Sequence, residues 1–189
     1  QVMLSGNHSH QTMTRCFTPV ERIGPTLPDL LKENGYYLAN INKEQRHYPW
    51  DVRIDEDESA CGRDVPFYRT ALTRIVKEAR ELEKPFFIMA NMNDPHRPFH
   101  GAGVPKRVRD PNRVSEPSHV YAPDEVTVPG FLPDLPEVRR EMAEYYSSVR
   151  RADDPVGVML ATIADLGARD DTIVLFMSDH GISMPFSKI

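Results

Sequence analysis

Two short apolar runs constrain this chain more than any other feature. Phe86–Ala90 (FFIMA) and Asp171–Met177 (DTIVLFM) are continuous, rich in aromatic and β-branched residues, and too short for core helices. Such runs predict strands buried on both faces. Each follows a stretch with helical spacing. Pro66–Leu82 places Tyr68, Leu72, Ile75, Val76 and Ala79 on one face, and Leu135–Leu166 does the same with Met142, Tyr145, Val149, Ala152, Val156, Met159 and Ile163. Pro155 inside the second stretch predicts a kink, or two helices meeting. Earlier, Thr26–Asn34 reads as a helix with Thr26 as cap, Pro28 in its first turn and Gly35 as its stop, followed by a strand over Tyr36–Ile41. Glu44 to Gly62 reads as charged loop. Helix alternating with strand predicts an α/β fold, a largely parallel sheet flanked by helices.

Proline sets the second constraint. There are 17 in 189 residues, and nine fall between Pro95 and Pro136. Usual proline content is ~5%. The stretch from about 95 to 136 therefore excludes long helix and central strand, and reads as an ordered excursion over a surface or a floppy insertion. Lys and Arg number 23 against 28 Asp and Glu, a net charge of −5. With no basic block, nucleic acid is not the expected partner. No run approaches the ~18 apolar residues of a membrane span. Cys16 and Cys61 cannot form a disulfide framework. The chain opens at Gln1 without an initiator Met or a signal-like segment, so further residues are expected at the front, and at the back as well.

Each apolar run leads straight into polar residues. After FFIMA come Asn91, Asn93, Asp94, His96 and Arg97; after TIVLFM come Ser178, Asp179, His180 and Gly181. Open α/β sheets place ligand crevices at the carboxyl ends of their strands. Parallel neighbours would bring Asp94, His96, Arg97, Asp179 and His180 into one cleft. A carboxylate beside an imidazole suits a divalent cation, and a second imidazole with a guanidinium suits general-acid work and oxyanion binding. Asp179 can equally cap a turn, and His96 can equally sit in a surface turn between two prolines. His8, His10 and His119 read as exposed loop residues. Asp55-Glu56-Asp57-Glu58 lacks the alternation of a Ca2+ loop and reads as a solvated face.

Five collinear segments carry a resemblance. VMLSGNHSH resembles the helix that follows the nucleophile motif of sulfatases. TLPDLLKENGYYLANINK resembles the family element LP-x-LL-x-x-x-GY-x-T-x-x-x-GK. PFFIMANMNDPHRPF resembles its PFF strand and DPHRPF loop. YAPDEVTVPGFLPDLPEVRREMAEYYSSVRRADDPVG resembles the P-x-x-V-x-VP-x-FLPD segment with its long helix, and DTIVLFMSDHGISMPFSK resembles the metal-binding strand end. The chain thus resembles the sulfatase family of the alkaline phosphatase superfamily, nearest the heparan N-sulfatase (sulfamidase-like) branch.

The resemblance implies an alkaline phosphatase-like fold, truncated at both ends, with residues 1–189 forming part of a catalytic domain. It implies that Asp179 and His180 ligate a divalent cation, usually Ca2+ in this family. It implies that His96 contacts the sulfate and assists the leaving group, that Lys43 holds the nucleophile and sulfate oxygens, and that Lys188 and Arg97 bind substrate. The family's Lys-x-His reads Lys43-Glu44-Gln45 here, with His47 displaced. No C/S-x-P-S-R motif, the source of the family's formylglycine nucleophile, occurs; Cys16-Phe17-Thr18-Pro19 has the wrong spacing. The formylglycine and the paired Asp ligands are expected upstream of Gln1.

The implied reaction is hydrolysis of a sulfate ester or N-sulfate group, on a sugar or another small anionic substrate, with this segment alone binding metal weakly and inactive. The alternatives are a phosphoester or phosphonate hydrolase of the same superfamily, and a truncated non-catalytic protein. A signal peptide ahead of Gln1 would imply a periplasmic, secreted or lysosome-like location, and its absence a cytoplasmic one.

Overall fold

A computed structural model describes residues 2–8, 10–11, 24–43, 47–55, 62–103, 106, 108–178, 181–182 and 184–185. The chain divides into two compact units. The first comprises Gln1–Asp55 and Arg74–Asn91, the second Glu56–Thr73 and Met92–Ile189.

The first unit holds a three-stranded parallel sheet. After a short helix α1 (Val2–Ser5) comes helix α2 (Leu27–Glu33), entered through Thr26, whose amide and hydroxyl both donate to the Asp29 carboxylate. Pro28 fills the first turn, where no N–H is needed. Gly35, at φ +82°, ends the helix in a conformation that L side chains resist. Strand β1 (Tyr37–Ile41) follows at once and is buried along its whole length. Strand β2 (Val52–Ile54) lies inside the stretch that reads as charged loop. Three residues are too few for a periodic signal, and β2 is specified by pairing with β1, Ala39 opposite Val52 and Ile41 opposite Ile54. Strand β3 (Phe86–Ala90) pairs with the other side of β1, from Tyr37 opposite Phe86 to Ile41 opposite Ala90, giving the order β2-β1-β3. Among the described strands only β1 is central, and only β1 is fully buried. The expectation that FFIMA is buried on both faces is corrected to half-burial, because β3 lies at the side of the described sheet.

Helix α3 (Val65–Glu81) joins β2 to β3 and buries Tyr68, Ala71, Leu72, Ile75, Val76 and Ala79, as the periodicity predicts. Its final turns belong to the first unit. There Tyr37 donates its hydroxyl to Glu78 at 2.5 Å, and Arg74 donates to the same carboxylate at 2.6 Å. Burial, then the bond to Glu78, pushes the Tyr37 phenol up to about 12. The same bond, with that from Arg74, holds the Glu78 carboxyl below its usual range.

The second unit is built on helix α4 (Pro136–Asp165). It runs as one helix through Pro155, so the alternative of two helices meeting there is corrected; the proline removes one N–H from the ladder while its ring is buried. Among its described residues, the Pro-rich stretch carries one 3-10 turn (Pro111–Arg113) and is tied to α4 by its backbone: the His100 amide donates to Ser148 Oγ at 2.7 Å and the Tyr121 amide to Ser147 Oγ at 2.9 Å. Phe99 and Val126 from the excursion pack with Met142, Ala143 and Met184 in a buried cluster.

The strand expected at Asp171–Met177 is absent. Residues 172–178 carry no regular structure, and Ile173 is 99% exposed and Leu175 75% exposed. An apolar run becomes a strand only when a neighbour supplies its hydrogen bonds, and among the described residues it has none.

Candidate functional site

The loop after β3 is anchored by charge. Asp94 lies at the bottom of it, its side chain 2% exposed, between two arginines that are themselves buried. Arg63 Nε donates to Asp94 Oδ1 at 2.8 Å, and Arg151 donates to Oδ2 through Nε at 2.5 Å and to Oδ1 through its terminal nitrogen at 3.2 Å. Arg63 precedes α3 and Arg151 projects from α4, so one carboxylate ties the loop to two helices. The expectation that Asp94 faces a cleft is therefore corrected: both its oxygens are consumed internally. Asp64, next to Arg63, accepts from the Phe67 amide at 3.2 Å in the first turn of α3 and from Arg113 Nη2 at 2.6 Å.

His96 stands above this clamp and is exposed. Arg63 donates to its carbonyl at 2.9 Å, and its own amide donates to Asn93 O at 2.8 Å, so the backbone is held at both ends of the residue. The ring makes one decisive contact, Nδ1 to Arg97 O at 2.7 Å. A carbonyl oxygen only accepts, so Nδ1 carries a hydrogen. That leaves Nε2 as the ring atom through which a proton can be taken up or delivered. The prolines flanking this segment, Pro95 and Pro98, both follow cis peptide bonds. Arg97 is paired with Glu141 on α4 at 2.5 Å, and its guanidinium lies 4.4 Å from the centroid of the Phe99 ring.

The first unit supplies a second polar cluster, at the carboxyl ends of β1 and β3. Asn42 and Lys43 follow β1 with φ of +56° and +54°, two successive left-handed residues. Lys43 is exposed there, and His47 is exposed in the next turn. Two asparagine side chains hold this turn. Asn40, fully buried in the central strand, donates through Nδ2 to the carbonyls of Asn42 (2.9 Å) and Lys43 (3.3 Å). Asn91 Nδ2 is shared among Asn40 Oδ1 (3.1 Å), Ile41 O (3.2 Å) and Asn42 O (3.1 Å). Sequence reasoning passed over Asn40, Arg63 and Arg151, and named Asn91 without a role. The available signal was a polar residue inside an apolar strand run (YLANI) for Asn40 and an arginine within the periodic stretch of α4 for Arg151; nothing local marked Arg63.

Asp179, His180 and Lys188 lie outside the described residues, as do Cys16 and Cys61. Among the described residues no group of three or more His, Cys, Asp or Glu is arranged to hold a metal ion, and no helix is long and apolar enough to cross a membrane.

The model of the Sulfatase family matches residues 1–187. The chain belongs to the sulfatase family. Among curated relatives, the human N-sulphoglucosamine sulphohydrolase is 30% identical over 182 residues, covering 86% of this chain and 35% of that protein. An endo-4-O-sulfatase of Bacteroides thetaiotaomicron is 33% identical over 106 residues, covering 56% of this chain and 20% of that protein. An ulvan-active sulfatase of Formosa agariphila is 30% identical over 136 residues, covering 67% and 24%. The sulfatase chain described here thus spans about a third or less of the length of these relatives. Among solved structures, the lipoteichoic acid synthase LtaP of Listeria monocytogenes superposes with a TM-score of 0.49 at 23% identity, covering 79% of this chain and 35% of that one.

Proposed function

We propose that the complete protein hydrolyses sulfate ester or N-sulfate groups on a carbohydrate, and that His96 is the general acid for the departing oxygen or nitrogen. Within the family shown by the match over residues 1–187, the observation that supports this most directly is the fixed imidazole of His96. Breaking the S–O or S–N bond leaves charge on the departing atom, and a proton from Nε2 neutralises it there. The ring keeps its Nδ1 hydrogen on Arg97 O throughout, so its orientation survives the transfer. The clamp below, Asp94 between Arg63 and Arg151, holds the loop that carries it.

Lys43 is assigned to the sulfuryl oxygens, where an ammonium offsets negative charge, and His47 and Lys188 are assigned to substrate contact. Arg97 can join them by exchanging Glu141 for the anionic substrate. Asp179 and His180 are the proposed ligands of a divalent cation, Ca2+, which when bound would further neutralise the sulfuryl group. They supply two of the roughly six to eight donors that Ca2+ takes. The nucleophile is assigned to a formylglycine hydrate from a C/S-x-P-S-R motif that this sequence does not contain.

The test is His96→Gln in the complete protein, assayed on a sulfated sugar and on an aryl sulfate. A general acid contributes about 10²–10⁴-fold to a poor leaving group. The variant is expected to lose that much on the sugar and far less on the aryl sulfate, whose phenolate departs unaided. Equal losses on both substrates, or wild-type turnover of the sugar, would remove His96 from this role. Faster wild-type turnover of matched phosphate esters would replace the sulfatase reading with the phosphoester one.

A further inference from the structure

The Asn42–Lys43 turn is an unusual place for a substrate-binding lysine. Two consecutive non-glycine residues sit in the left-handed region, a conformation that L side chains disfavour. Asparagine tolerates this region better than most residues; lysine has no such advantage. Beside the turn, the central strand buries an asparagine side chain completely, at a position where an aliphatic residue would fill the core. Burying an amide is unfavourable unless its hydrogen bonds are made. All those that Asn40 makes go to this turn or to Asn91, and Asn91 in turn reaches back to the carbonyls of Ile41 and Asn42. The three acceptors around Asn91 fix which end of its amide is the nitrogen, since an oxygen there would meet only other oxygens. The Asn42 amide is also engaged, donating to Ile54 O on β2 at 3.0 Å.

We infer that Asn40 and Asn91 are positioning residues for Lys43: a neutral amide pair that holds the left-handed turn and so fixes the origin of the lysine side chain. This rests on the assignment of Lys43 to the sulfuryl oxygens. It goes beyond that assignment by naming the residues that make the lysine effective. A neutral pair suits the task, because a carboxylate at either position would tether the ammonium it is meant to present. Asn91 is the better one to vary, being half-buried where Asn40 is fully enclosed.

The experiment is a cycle of Lys43→Ala, Asn91→Ala and the double variant in the complete protein, read as kcat and KM on a sulfated sugar. Amide exchange of Asn42 is followed in parallel. Lys43→Ala is expected to lower kcat/KM by about 10²-fold or more, and Asn91→Ala by a smaller factor. The double variant is expected to be no worse than Lys43→Ala, because a residue acting through Lys43 has nothing left to position. In Asn91→Ala the Asn42 amide is expected to exchange at least about 10-fold faster while the Leu38 and Asn40 amides of β1 stay protected. Asn91→Gln, which keeps the amide, is expected to recover part of the loss. Multiplying losses in the double variant, or unchanged exchange at Asn42, would overturn the positioning role while leaving Lys43 as a substrate contact. An unaffected Lys43→Ala would instead remove the substrate assignment itself, and the positioning role with it.

Discussion

Two loops leave the carboxyl ends of neighbouring strands, and they are held by opposite chemistry. The turn after β1 is held by uncharged amides, Asn40 and Asn91, bonded to backbone carbonyls. The loop after β3 is held by a carboxylate, Asp94, gripped by Arg63 and Arg151 with all three side chains nearly out of contact with water. The difference teaches what each loop needs. The β1 turn carries a cation, Lys43, and in the proposed role a charged anchor would compete with the substrate for it. The β3 loop presents an imidazole whose ring is already fixed by a carbonyl, so a strong charged anchor can lie beneath it without touching the ring. Charge also reaches further than an amide: one carboxylate joins α3's leading residues and α4 to the loop, whereas the asparagines act within a few residues of backbone.

The largest expected effect tests the charged anchor. Asp94→Ala strands two buried guanidinium groups, and breaking such a cluster from one side costs about 3–5 kcal/mol. Urea unfolding should show a loss of that size, and a loss under about 1 kcal/mol would mean water already reaches the arginines. Replacing all three members together with apolar residues of similar volume is expected to restore much of the stability. Next in size is Asn40→Leu, which deprives the Asn42 and Lys43 carbonyls of a donor at an expected cost of about 1–3 kcal/mol. A loss exceeding that of Asp94→Ala would invert the contrast between the two anchors.

Smaller still is Tyr37→Phe, expected to cost about 1 kcal/mol by removing the bond to Glu78. The pair also predicts a pH response that the asparagines cannot give. Glu78 is held below its ordinary value by Tyr37 and then Arg74, so its contribution is present above the usual carboxylate range and is lost as pH falls through its folded value. Tyr37 is pushed up to about 12, so its contribution holds below the ordinary phenol range and fades as pH rises toward that value. Stability against pH should lose part of its acid slope in Glu78→Gln; an unchanged slope would assign it elsewhere. The smallest effect belongs to Arg69→Ala, whose pair with Asp165 is exposed on both sides and is expected to matter by no more than about 0.5 kcal/mol in thermal melts.

Much of the frame was legible in the residues. Gly35 after TLPDLLKEN gave the stop of α2 and the start of β1, and the 3–4 spacing gave α3 and α4, because capping and amphipathic period are local properties. The family motif singled out His96, and its fixed ring was not legible, since that depends on where the Arg97 carbonyl turns. Asp94 was misread as facing a cleft because nothing local shows that Arg63, 31 residues earlier, and Arg151, 57 residues later, meet it. The three-residue β2 and Asp171–Met177, which has no strand partner among the described residues, failed for one reason in opposite directions.

By itself, then, the sequence determined which segments are helical, which runs seek burial, and membership of the sulfatase family through collinear motifs. Only the tertiary structure decided which apolar run became a strand, where the buried carboxylate went, and that two asparagines would spend their amides on one turn. A helix closes its hydrogen bonds within itself and can be read locally. A strand, a buried ion cluster and a side-chain amide are completed by partners far away in the chain, and no local pattern names them.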